Sequence, residues 1–146
     1  MAPYRLRGNS LRNKMQVLCD TSFLMVLAAK PLKQVDRVES QLGRIDIIVP
    51  DIVIEELGRL ERKAGPKRSM TAKTAAELCR KRFTTVPLSR GAHVDEAIID
   101  YAVRNKCAVA TIDTSLRNRL LSNDILVLTL SRDRLLIANP RNEDHL

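Results

Sequence analysis

The sequence predicts an α/β domain with a parallel sheet covered by helices on both faces. Short apolar runs rich in Val and Ile alternate with stretches of helical periodicity, the pattern of strands joined by helical crossovers. The 146 residues suit one domain that buries roughly 70% of its unfolded surface, and an apolar share of 45% can fill such a core. There is no internal repeat and no low-complexity linker.

Taken in order, a basic start over residues 1–14 precedes a single domain over residues 15–146. Val17-Leu18-Cys19-Asp20 reads as a strand closed by a carboxylate. Phe23 to Ala29 is apolar all round, the mark of a buried helix, and Pro31 stops it. Val35, Val38 and Leu42 are spaced for a helix that Gly43 caps. Ile45 to Val49 is a β-branched strand, and Pro50 stands at the start of the helix DIVIEELGRLERK, where its missing N–H is harmless. Gly65-Pro66 breaks the chain. A helix from about Thr71 to Arg82 follows, then a strand at Phe83 to Val86 and a helix over residues 94–105. A strand at Cys107 to Thr111, a helix at Thr114 to Leu121 and a strand at Ile125 to Leu130 come next, with Arg134 to Ile137 as a last strand.

Composition excludes several classes. No apolar run approaches the ~18–20 residues of a membrane helix, and the start lacks an apolar signal segment, so the expected location is the cytoplasm, with no membrane partner. Cys19, Cys79 and Cys107 form no CxxC pair, which argues for small core residues over a disulfide framework or zinc site. The five scattered glycines make neither a phosphate-binding GxxxxGK[ST] loop nor a GxGxxG turn. No GxSxG elbow is present. His93 stands near a helix start and His145 in a polar tail, so a histidine acid–base pair has no basis. With only Tyr4, Phe23, Phe83 and Tyr101 as aromatics, base stacking is a poor route to nucleic acid.

The net charge of +8 is uneven. Arg59, Arg62, Lys63, Lys67, Arg68, Lys73, Arg80, Lys81 and Arg82 stand against two glutamates in residues 59–82, a net +7, and residues 1–14 add +4. The remaining body is mildly acidic. A solvated helix face is the ordinary reading of such a run; its one-sidedness on an acidic chain raises polyanion binding to an equal alternative.

The informative carboxylates are those in costly places. Asp20 and Asp113 each end an apolar strand, and in a parallel sheet the carboxyl end is where open α/β folds bind ligands. Asp113 also suits a helix N-cap, which is compatible with metal binding. At about 100° per residue from Ile52, Val53, Ile54, Leu57 and Leu60 form an apolar arc that includes Glu56 at about 40°, while Glu55 at about 300° faces away. The same construction from Val94 places Asp95 at about 100°, among Ile98, Ile99, Tyr101 and Ala102, with Glu96 and Asp100 toward or beyond the arc's edge. A carboxylate on a core-facing stripe is disfavoured unless paired or metal-bound. Asp20, Glu56, Asp95 and Asp113 thus point to Mg²⁺ or Mn²⁺, hard cations that prefer carboxylate and water oxygens. Two such ions about 4 Å apart would clamp a phosphodiester, activate water and steady the leaving oxygen.

These residues resemble the PIN-domain nucleases over about Val17 to Leu130. Asp20-Thr21-Ser22 is similar to the family's first motif, Val49-Pro50 with Val53 and Glu56-Leu57 to its second, Asp95-Glu96-Ala97-Ile98 to its third, and Thr111-Ile112-Asp113-Thr114-Ser115-Leu116 to its fourth. The resemblance implies a three-layer α/β/α fold and Mg²⁺- or Mn²⁺-dependent RNA cleavage by Asp20, Glu56, Asp95 and Asp113, with Thr21, Ser22, Thr111 and Ser115 as accessory residues. The basic follow-on to the Glu56 helix and the ending LVLTLSRDRLLI look most like archaeal relatives of the small-subunit processome endonuclease. That branch implies an rRNA precursor or ribosomal subunit as partner. The VapC toxins, restrained by an antitoxin, are the neighbouring branch, and members are often homodimers. A non-catalytic RNA-binding scaffold on the same fold is the non-enzymatic alternative.

Overall fold

A computed structural model describes residues 14–88 and 93–139. The basic N-terminal segment, Lys14 excepted, and His145 lie outside them. The described chain runs β1 (Lys14–Cys19), α1 (Thr21–Ala29), α2 (Val35–Leu42), β2 (Arg44–Pro50), α3 (Asp51–Lys63), α4 (Pro66–Arg82), β3 (Thr84–Val86), α5 (Val94–Asn105), β4 (Ala108–Ala110), α6 (Thr114–Ser122), β5 (Val127–Ser131) and β6 (Arg134–Ala138).

The six strands form one sheet in the order β3-β2-β1-β4-β5-β6. β1 is central and pairs in parallel with β2 and β4. One face is buried by α1 to α4 around Phe23, Leu24, Val53, Leu57 and Cys79. The other is buried by α5 and α6 around Ile98, Ala102, Leu116 and Leu120. Alternating residues of β1 serve the two faces: Val17 and Cys19 one, Leu18 the other. That two-sided demand is why the strands read as unbroken apolar runs.

The central sheet is mostly parallel, as the sequence predicts, and its last strand, β6, runs antiparallel to β5. Only Arg132 and Asp133 separate the two strands, and a parallel return needs a crossover of a dozen or more residues. The second basic helix starts at Pro66 rather than near Thr71. Gly65 is its N-cap and Pro66 occupies the first turn, where proline's fixed φ favours the helix. Gly65-Pro66 therefore marks the beginning of α4 instead of a gap.

Local signals account for other boundaries. Gly43 closes α2 at φ 91°, with its N–H on the Glu39 carbonyl, a left-handed backbone that glycine adopts without strain. Lys30, just before Pro31, ends α1 in an extended conformation, as residues before proline prefer. All three cysteines are buried and free. Burial pushes the Cys19 thiol well above its ordinary value and those of Cys79 and Cys107 up to about 11, so all three are neutral packing groups.

Candidate functional site

Strand order fixes where the site lies. After β1 the chain builds outward through β2 and β3, then returns to place β4 on the other side of β1. The carboxyl ends of β1 and β4 flank this reversal, the crevice where open α/β sheets bind ligands. Cys19 and Ala110 are in register, and the Asp20 N–H donates to the Ala110 carbonyl at 3.2 Å. Asp20 and Thr111 thus leave the sheet side by side.

Asp20 is buried, with 8% of its surface exposed. It caps α1: one carboxylate oxygen accepts from the Phe23 N–H at 2.9 Å and from the Ser22 hydroxyl at 2.8 Å. The other oxygen accepts from the Thr111 hydroxyl at 2.5 Å. Thr111 is fully buried, and its hydroxyl oxygen accepts in turn from the Asp113 N–H at 3.0 Å. Asp113 caps α6 by accepting from the Leu116 N–H at 3.2 Å. Glu56 comes in from α3, where the Thr21 hydroxyl donates to it at 2.7 Å. The Ile112 N–H reaches the Ser22 hydroxyl at 3.4 Å, closing the connection between the two strand ends.

Burial pushes the Asp20 carboxyl above the usual carboxylate range. Hydrogen bonds from Thr111, Phe23 and Ser22 pull it down, and the charge of Asp113 pushes it up again. No cation in the described protein relieves this. Among the described residues, none of Asp20, Glu56, Asp95 and Asp113 forms an ion pair.

The helical angles orient the acids as the sequence suggests. Glu56 is half-buried and Glu55 exposed; Asp95 is half-buried while Glu96 and Asp100 are exposed, Asp100 pairing with Arg104 at 2.7 Å. The structure thus brings Asp20 and Asp113 within electrostatic reach and ties Glu56 to the residue after Asp20. Asp95, in the first turn of α5, makes no hydrogen bond to the other three. Among the described residues, no three Asp, Glu, His or Cys side chains form a ready-made metal cage. The donor chemistry fits a hard divalent cation nonetheless: the candidate donor atoms are all oxygen, and Asp20 and Asp113 repel each other with no paired cationic side chain among the described residues.

Of the accessory residues, Thr111 holds the most constrained place and Ser115 is exposed on the first turn of α6. His93 precedes α5, is exposed and makes no side-chain cap. All nine basic residues from Arg59 to Arg82 are exposed, on the last turns of α3 and along α4. With Ile52 at 0°, Arg59 and Lys63 fall at about 340° and 20°, on the same ridge of α3 as Glu56.

A further buried polar group is cationic. The Nε of Arg117, on α6, is buried with no hydrogen-bond partner among the described residues. The helical angle that separates Glu56 from Glu55 also sets Arg117 on the packed stripe of its helix.

The comparisons agree with this architecture. The family model described as a PIN-like domain matches residues 17–134. No curated protein matches the chain significantly. Among solved structures, the PIN domain endonuclease Utp24 superposes with a TM-score of 0.67 at 21% identity, over 85% of this chain and 91% of that one. A domain of a functionally unknown protein from Methanocaldococcus jannaschii DSM 2661 gives 0.54 at 16% identity, over 80% and 91%. These two likenesses speak for the fold, and the family match extends from the strand that carries Asp20 to the last hairpin. The chain belongs to the PIN-like domain family of nucleases.

Proposed function

We propose that the protein is a metal-dependent endoribonuclease that cuts RNA to 5′-phosphate and 3′-hydroxyl ends, with a structured ribosomal RNA precursor as substrate and the cytoplasm as its place of work. The observation that carries this reading is Asp20: a buried carboxylate at the switch point, held by three hydrogen bonds, repelled by Asp113 and paired with no cationic side chain among the described residues. Burying such a charge is costly unless something compensates it, and a ligand cation does so. The endonuclease Utp24, whose fold the chain shares, supports the same class of reaction.

Asp20, Glu56, Asp95 and Asp113 are the residues that would hold Mg²⁺ or Mn²⁺. Bound there, such an ion supplies positive charge for the phosphate oxygens and acidifies a water. The chain's own hydroxyls set the geometry: Thr111 and Ser22 fix both oxygens of Asp20, and Thr21 fixes Glu56. Water adds to phosphorus, the 3′-oxygen leaves and takes up a proton, and the phosphate stays on the 5′ side. The exposed basic residues of α3 and α4 hold the backbone at a distance from the chemistry, which suits a large folded RNA.

Asp20→Asn and Asp113→Asn test this directly. Asn caps helices as well as Asp does, so Asp113→Asn should leave folding and RNA binding intact while cleavage in Mn²⁺ disappears. Wild-type cleavage by either variant, measured on end-labelled precursor RNA, rejects the site. Crosslinking of the inactive protein to tRNA anticodon loops in cells, in place of ribosomal precursor ends, would reassign it to the toxin branch.

A further inference from the structure

We infer that Arg117 is a phosphate-contacting residue of the same site, gripping the RNA backbone beside the scissile position. This deepens the nuclease reading and rests on it. At about 100° per residue with Leu116 at 0°, Leu120 falls at about 40°, Leu121 at about 140° and Arg117 at about 100° between them. Those three leucines are buried, so Arg117 lies on the packed stripe of α6, while its neighbours Asn118 and Arg119 are exposed. An arginine in such a place ordinarily has a carboxylate partner or carries its whole head group out to water. Arg117 does neither: its Nε is buried without an acceptor, and among the described residues it forms no ion pair.

The helix determines what the guanidinium can reach. Side chains lean toward the N-terminus of their helix, and the N-terminus of α6 is capped by Asp113. Arg117 lies one turn further on, its N–H bonded to the Asp113 carbonyl at 2.9 Å. The Asp113 carboxylate does not take up the guanidinium; one of its oxygens accepts from the Leu116 N–H. Arg117 thus stands one helical turn from an acid proposed to hold a cation, its Nε without an acceptor among the described residues. Cation and guanidinium together match the non-bridging oxygens of a phosphodiester, and the planar fork of arginine binds such oxygens in pairs.

The test compares wild type with Arg117→Met, which keeps the length of the stem. The probe is a short fluorescein-labelled single-stranded RNA, titrated in EDTA across a range of KCl. The expected result is a Kd raised about tenfold and a slope of log K against log salt reduced by about 0.7, one phosphate contact. The melting temperature should be unchanged or higher, because a buried unsatisfied donor is removed. Unchanged affinity and slope together with a lowered melting temperature overturn the inference and make Arg117 a packing stem. Should Arg117→Met not fold, Arg117→Lys decides: full slope with severalfold weaker binding supports a guanidinium fork, and wild-type affinity overturns it. The two readings fail separately. Cleavage by wild type with binding indifferent to Arg117 removes only this inference; loss of one contact in a protein that never cuts RNA removes only the nuclease.

Discussion

Thr111 gives the site its geometry, because its one hydroxyl faces both strand-end acids, donating to Asp20 and accepting from the Asp113 N–H. Asp20 in turn sets a pH dependence. Its folded carboxyl is raised above the unfolded value by burial first and by Asp113 last, so the folded state holds that proton more tightly. The stability this contributes is complete below the ordinary carboxylate range and is lost as pH rises through the raised value. In EDTA, the melting temperature of wild type relative to Asp20→Asn should therefore fall as pH climbs from about 4 toward neutrality; a constant difference across that range would contradict the desolvation account. The Glu55/Glu56 pair separates position from composition. Glu56→Gln should lower kcat by roughly 100-fold, about 2.7 kcal/mol of barrier, whereas Glu55→Gln should leave it within a factor of two; the opposite result would reverse the assignment. The candidates Asp20, Glu56, Asp95 and Asp113 stand out in the sequence because a carboxylate among apolar neighbours is conspicuous at helical or strand-end spacing, and the fold ties the first, second and fourth of them into one network but not Asp95. Arg117 satisfies the same angular criterion with the opposite sign. The partnership of Thr111 with Asp20 joins residues 91 positions apart, and no local pattern encodes that.

Among the elements, the α3–α4 pair carries the exposed charge proposed to bind RNA. Small residues on α4 (Ala72, Ala75, Ala76 and Cys79) are buried and let it pack closely, leaving its lysines and arginines in water. Because these charges are exposed, they add little to folding; the proposed role for them is on a polyanion. Reversing Arg80, Lys81 and Arg82 to Glu should weaken RNA binding and lower the magnitude of the salt slope by about 2, near 0.7 per lost single-strand contact. An unchanged slope would return the block to ordinary surface charge. Apolar runs, helical spacing and chain breakers anticipated each helix and strand of the described residues, while the ends were set by other physics. Pro66 extended α4 backward because proline favours a first turn, and the two-residue link at Arg132–Asp133 forced β6 antiparallel. Both signals are present in the sequence; each requires asking what a connection permits as well as what a segment prefers.

At the scale of the molecule, function follows from the order in which the strands are laid down. A sheet built β3-β2-β1-β4-β5-β6 leaves one crevice at the carboxyl ends of β1 and β4, and the two strands bordering it end in Asp20 and in Thr111 to Asp113. Topology brings the acids of distant segments to the same edge, while local hydroxyls hold them against their mutual repulsion. A cation there should bind the folded state alone and raise stability by about 2.7 kcal/mol at a hundredfold excess over Kd, several degrees in melting temperature for a chain of this size. The place of that cation decides whether the strand-end acids are the catalytic centre. An anomalous difference map from Mn²⁺-soaked crystals tests it: the account predicts a peak bound by carboxylate oxygens of Asp20 and Asp113, absent in Asp113→Asn crystals, and a map with no peak at these residues would contradict it.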